Sequence, residues 1–180
     1  MKFYETEICG VYVIELNLFK DERGFFVKTF NEDVFKDTMM LSLNVKESFY
    51  SISKKNVIRG MHFQTPPYDN KKLVYVASGK IKDVVLDIRR NSPSFGKHLL
   101  FEMAEVKPLA IYIPAGCAHG FLSQEDNSIA VYMQTTVYSA DHDKGILWSS
   151  FGLNWGISDP VISQRDNSFP RLDEFESPFA

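Results

Sequence analysis

The strongest constraint on the fold is the spacing of β-forming runs between residues 10 and 140. Val11-Tyr12-Val13-Ile14, Gly24-Phe25-Phe26-Val27, Lys72-Leu73-Val74-Tyr75-Val76, Ile81-Lys82-Asp83-Val84-Val85-Leu86-Asp87-Ile88, Ala110-Ile111-Tyr112-Ile113 and Ile129-Ala130-Val131-Tyr132-Met133 are short and rich in β-branched and aromatic residues. Many short strands separated by turns indicate an all-β sandwich or barrel. The breaks at Asp21-Glu22-Arg23-Gly24, Ser78-Gly79-Lys80 and Asn91-Ser92-Pro93-Ser94-Phe95-Gly96 carry residues that supply φ > 0 or fix φ. One helix is expected over residues 31–40, where Val34, Phe35, Thr38 and Met39 share a face. After Trp148 the chain reads as loops with a few short helices, and Phe151, Trp155, Phe169, Phe175 and Phe179 are expected to pack this tail on the barrel. With no repeat or linker, 1–180 reads as a single domain.

At 180 residues, 44% hydrophobic and 24% charged, the chain is long enough to bury a real core. A formal charge of −3 and a pI near 5.8 leave no electrostatic footprint for a nucleic acid. An anionic ligand therefore needs a local cluster of Arg and Lys. The first residues lack an apolar signal core, and no stretch approaches the roughly 18 apolar residues of a membrane span, so a cytoplasmic protein without a membrane partner is expected. Cys9 and Cys117 form no CxxC pair and are expected to be two buried free thiols.

Two segments concentrate chemistry: Val57-Ile58-Arg59-Gly60-Met61-His62-Phe63-Gln64 and Ile113-Pro114-Ala115-Gly116-Cys117-Ala118-His119-Gly120-Phe121. Each places a histidine after a strand-like run and a glycine, where its side chain can enter a cavity. Pro114-x-Gly116-x-x-His119 matches the second motif of the cupin superfamily, a jelly-roll barrel that often holds a metal. The first cupin motif supplies His-x-His, and here it reads His62-Phe63-Gln64. Two candidate ligands fall short of the usual three, so no metal is expected. A lone histidine among hydrophobes is usually structural. Arg59, His62 and Lys72 nevertheless fall close together, and Asp83 and Asp87 share one face of the next strand. So many charges inside a barrel imply a polar cavity.

These segments, with Asp21-Glu22-Arg23-Gly24-Phe25-Phe26, Asp83-Val84-Val85-Leu86-Asp87-Ile88-Arg89, Tyr132, Tyr138 and Ser163-Gln164-Arg165-Asp166, make nearly the whole chain resemble the dTDP-4-dehydrorhamnose 3,5-epimerase family. The resemblance implies a cupin-type jelly roll and an epimerase of nucleotide-diphospho-4-keto-6-deoxy sugars in deoxysugar and surface-polysaccharide biosynthesis, with no metal or redox cofactor. It implies His62 as base, Asp166 as the carboxylate that orients it, Tyr132 as acid and Lys72 as the donor to the C4 oxygen. It also places Arg23 and Arg59 on the diphosphate. His119, Phe26 and Ser51 fall at substrate-contacting positions, Tyr138 under the base, and Asp143 and Arg165 where the family usually has Glu and Lys. It further implies a homodimer in which Arg23 and its neighbours complete the partner's site. Taken singly these residues have blander readings: Arg23 a solvated turn, Tyr132 and Tyr138 strand formers, Asp166 a helix cap.

Three departures from the family pattern stand out. Val27-Lys28 replaces Phe-Glu, Glu47-Ser48-Phe49 replaces Gln-x-Asn, and Trp148-Ser149-Ser150 replaces Trp-Asn-Asp. Lys28 and Glu47 together match the acceptors and donors of guanine, which gives the expectation of GDP in place of dTDP. C3-only epimerisation and 3,4-ketoisomerisation use the same base, and a non-catalytic sugar-nucleotide binding protein is the reading from another class.

Overall fold

The computed structural model describes residues 1–40 and 42–180. In chain order the elements are β1 (Lys2–Glu5), β2 (Tyr12–Glu15), β3 (Leu18–Asp21), β4 (Gly24–Val27), α1 (Glu32–Met39), β5 (Glu47–Ser53), β6 (Ile58–Gln64) and β7 (Lys72–Ser78). There follow β8 (Lys80–Asp87), β9 (His98–Ala104), β10 (Leu109–Ile113), β11 (Cys117–Ser123), β12 (Ser128–Gln134), β13 (Asp143–Gly145) and α2 (Gln164–Asn167). One sheet runs β1-β2-β10-β7-β12-β5 and the other β13-β6-β11-β8-β9, with β3-β4 a separate hairpin. The expected jelly-roll sandwich is present, with antiparallel pairing throughout its two sheets.

Period-two alternation builds it. Along β12, Ser128, Ala130, Tyr132 and Gln134 are buried while Ile129, Val131 and Met133 are half-buried. Val74 and Val76 of β7, Ile81 and Val85 of β8, Cys117 and Phe121 of β11, and Ala130 and Tyr132 of β12 meet in the core between the sheets. The outer faces are covered as well. Val84, Leu86, Ala118 and Leu122 pack against Phe151, Trp155 and Phe179 of the tail, as its aromatics led us to expect. On the other sheet, Ile14, Leu73, Ala110 and Tyr112 pack against Phe35 of α1.

Helix α1 begins where Asn31 accepts from the Val34 N–H at 3.2 Å and ends at Met40, whose φ of 51° is left-handed. Of its expected apolar face, Phe35 is fully buried, Val34 half-buried and Thr38 exposed; the side chain of Met39 lies outside the described residues. Among the described residues no helix is long and apolar enough to cross a membrane. The expectation of two buried thiols is corrected: Cys117 is buried, but Cys9 lies exposed in the turn before β2. Phe169 departs from the other tail aromatics, packing against the ring of His62.

Candidate active site

At one end of the sandwich the two sheets part around a cavity of about 430 Å³. Both histidines lie within strands, His62 on β6 directly opposite His119 on β11. Simple alternation would put Arg59 and His62, three residues apart, on opposite faces of β6. A β-bulge prevents this, since β6 spends three steps between His62 and Arg59 where β11 spends two between His119 and Phe121. The extra residue brings Arg59 and His62 to the same cavity. Glycine permits the close strand crossing. Gly60 has φ of +129°, and a Cβ there would lie 2.5 Å from the Gly120 Cα.

The same segment anchors a carboxylate. Asp166 accepts from the Gly60 N–H at 3.0 Å through Oδ2, while Oδ1 lies 2.9 Å from His62 Nε2. Asp166 is not the cap of α2; Ser163 is, accepting from the Asp166 N–H at 3.0 Å. Burial alone would raise the Asp166 pKa, but His62, the Gly60 N–H and Ser163 together hold it below its ordinary value. The carboxylate is therefore ionised near neutrality. It orients the ring with Nε2–H toward itself and leaves Nδ1 as the nitrogen able to take a proton. Phe169 packs edge-on against the ring at 5.7 Å, and the Arg165 guanidinium covers Phe169 at 5.3 Å.

His119 has its own carboxylate, with Nε2 at 2.7 Å from Asp83 Oδ2. Both are buried, and Asp83 Oδ1 has no hydrogen-bond partner among the described residues. Asp83 enters the interior for the alternation reason read from the sequence. Asp87, on the same face, instead belongs to a structural cluster with Arg89, Ser92 and Ser94.

The opposite wall comes from the other sheet. Glu47, Phe49 and Ser51 of β5 pair with Gln134, Tyr132 and Ala130 of β12, and Gln134 and Tyr132 pair with Lys72 and Val74 of β7. Lys72 reaches across the sandwich to donate to the His62 carbonyl at 3.2 Å. Burial pushes its pKa down to about 8, against the pull of the Asp143 and Asp83 carboxylates. Burial also pushes the Tyr132 phenol up, and the Asp83 charge adds to this, so the phenol holds its proton. The Ser51 hydroxyl is buried without a hydrogen-bond partner among the described residues.

The rim is tied together by amides. Gln64, at the position where a cupin would offer its second histidine, donates to the Tyr68 carbonyl at 2.8 Å and accepts from the Ser139 N–H at 2.7 Å. It tethers the loop that carries Tyr138. Glu47 accepts from the Tyr138 N–H at 2.6 Å and from Gln134 at 3.4 Å. Asp143 and Arg165 form an ion pair at 2.6 Å on the cavity lining. Among the described residues no three His, Cys, Asp or Glu side chains gather as a metal site.

The fold thus brings together at or beside one cavity all the candidate residues but three. Arg23 and Phe26 lie on the β3–β4 hairpin, outside the cavity lining, with Arg23 paired to Asp21 within its own turn. Lys28 follows that hairpin and is exposed.

Residues 5–174 match the dTDP-4-dehydrorhamnose 3,5-epimerase family. The chain belongs to this family. The Shigella flexneri dTDP-4-dehydrorhamnose 3,5-epimerase is 38% identical over 168 residues, 92% of this chain and 93% of that one. The solved Sulfolobus tokodaii dTDP-4-dehydrorhamnose 3,5-epimerase superposes with a TM-score of 0.91 at 37% identity, over 100% of both chains. A 3'-monoepimerase from Streptomyces bikiniensis, solved with dTDP-quinovose, superposes at 0.89 with 26% identity, over 93% of this chain and 86% of that one. The protein is accordingly an epimerase of the isomerase class.

For this epimerase the comparisons favour dTDP over the expected GDP. The family and the relatives above are named for dTDP sugars or solved with one. The Glu47 carboxylate that was to receive guanine is engaged with the Tyr138 N–H and Gln134. Sequence reading also missed Gln64 as a tether, the Asp83 partner of His119, and Phe169 as the wall of His62. Asp83 was signalled by its phase on β8. Phe169 had no local signal.

Proposed function

We propose that this epimerase inverts C3 and C5 of a dTDP-4-keto-6-deoxyhexose by proton transfer through an enolate. The observation that carries the reading is the placement of an oriented base and a protonated phenol on opposite sheets of one cavity. Nδ1 of His62 takes the proton next to the C4 ketone, and the electron pair of the broken C–H bond moves to the C4 oxygen. Asp166 stabilises the imidazolium that forms. The ammonium of Lys72 supplies the donor for the enolate oxygen, while Asp83 fixes the orientation of the His119 ring on the same cavity lining. Tyr132 returns a proton to the other face. Only protons move, so these side chains suffice without a metal or redox group.

Arg59 takes the diphosphate, assisted by Arg165, because a planar guanidinium offers paired donors to phosphate oxygens. Tyr138, half exposed at the rim, provides the flat face for thymine. The β3–β4 hairpin, with Phe19, Phe25 and Phe26 more than half exposed, has no place in its own protomer's cavity. We assign it to the partner of a homodimer, where Arg23 and Phe26 complete the second site.

The relation to the 3'-monoepimerase keeps C3-only inversion as a second reading. NMR of the product, read from its ring-proton couplings, decides between them. Inversion at both centres is expected; a product inverted at C3 alone would transfer the protein to the monoepimerases.

A further inference from the structure

On the cavity wall, the departure in direct contact with a proposed catalytic group is Phe49. It stands directly opposite Tyr132 in the β5–β12 ladder, and the two rings stack with centroids 4.8 Å apart and planes 17° from parallel. Near-parallel stacking is a favourable arrangement for two aromatic rings, and cross-strand aromatic pairs lock each other's rotamers. On another side the His119 ring meets Tyr132 edge-on at 5.7 Å. The phenol is thus wedged between two rings on two sheets.

We propose that Phe49 is a positioning residue for Tyr132 and sets how strictly each enolate is committed to inversion. The inference rests on the reading of Tyr132 as the acid. Once His62 holds the abstracted proton and the electron pair lies on the C4 oxygen, the enolate has two fates. His62 can return a proton to the same face, re-forming the C–H bond with retention. Alternatively Tyr132 gives its proton to the other face, which inverts the centre; the phenolate then regains a proton from solvent and His62 releases its own. The outcome depends on whether the phenol oxygen waits within reach of the carbon. A ring clamped by stacking waits there, whereas a ring that swings loses the competition to His62.

The test uses the full-length protein in D₂O with a dTDP-4-keto-6-deoxyhexose, as wild type, Phe49→Leu and Phe49→Tyr. Phe49 is 44% exposed on an edge strand, so neither change threatens folding. In Phe49→Leu the ratio of deuterium incorporated with retention to deuterium incorporated with inversion is expected to rise about 3- to 10-fold, the worth of one aromatic stack. Total exchange is expected to fall by a smaller factor than inversion because His62 is untouched, and Phe49→Tyr keeps the wild-type ratio. A merely structural role would lower exchange and inversion in parallel, and that result or an unchanged ratio overturns the proposal. NMR of ¹³C-labelled tyrosine in the resting protein supplies a readout independent of turnover: the Tyr132 ring is expected to move faster in Phe49→Leu, and identical spectra overturn the proposal. If wild type incorporates no label at all, the epimerase reading is what fails, and the tyrosine spectra still decide whether Phe49 fixes the ring.

Discussion

Lys72 shows how the site trades stability for chemistry. Its ammonium is buried, and burial lowers its pKa from 10.5 to about 8. A lysine depressed in the folded state destabilises the fold wherever the charged form must be buried, so the cost is full below about pH 8. Between about 8 and 10.5 the unfolded chain binds more protons, and stability rises with pH. Lys72→Met should therefore fold more tightly at neutral pH, by up to about 3 kcal/mol in denaturant titration. The same variant should lose about 10²-fold or more in kcat, since the enolate loses its cation. For wild type, activity should decline as pH rises through about 8, where Lys72 loses its charge. Asp166 has the opposite sign. Its pKa is lowered in the folded state, so its contribution to stability is complete above the ordinary 3.8 and is lost as pH falls through the folded value. Asp166→Asn should slow turnover by about 10²- to 10⁴-fold while KM moves little, because the base loses its orienting charge.

At the level of elements, the bulge in β6 decides which side chains reach the substrate. Gly60→Ala would add a Cβ 2.5 Å from the Gly120 Cα at a φ of +129°, so strands β6 and β11 would have to separate. A loss of about 2 kcal/mol or more in thermal unfolding is expected, with activity falling beyond what the lost folded fraction explains. The sequence revealed β2, β4, β7, β8, β10 and β12 because each is a short run rich in β-branched or aromatic residues. It did not reveal β5, whose Glu47, Phe49 and Ser51 face a polar cavity while Ser48, Tyr50 and Ile52 face outward. With a wet cavity on one side and an exposed face on the other, that strand carries no apolar alternation. The bulge was equally hidden. Gly60 was visible in its motif, but only pairing with β11 shows that the glycine turns Arg59 and His62 to one side.

Across the whole molecule, twelve of the fifteen residues singled out in the sequence lie at or beside one cavity, and the other three lie on or just after the β3–β4 arm, outside its lining. A single chain could not make that arm intelligible in physical terms. If Arg23 serves the neighbouring protomer, mixing Arg23→Ala with His62→Ala should regenerate activity that neither variant has alone. Random reassortment gives one intact site in half of the dimers, or about a quarter of wild-type turnover. Absence of any recovery, in a mixture shown by light scattering to exchange subunits, would place Arg23 in its own protomer's site or in none. The central claim is that His62 abstracts the proton beside the ketone, and its most direct test is solvent deuterium entry into a dTDP-4-keto-6-deoxyhexose followed by NMR. Wild type should place label at C3 and C5, and His62→Ala should place none above the uncatalysed rate. Undiminished label in His62→Ala would contradict the assignment of the base, and no label with wild type would contradict the enolate mechanism itself.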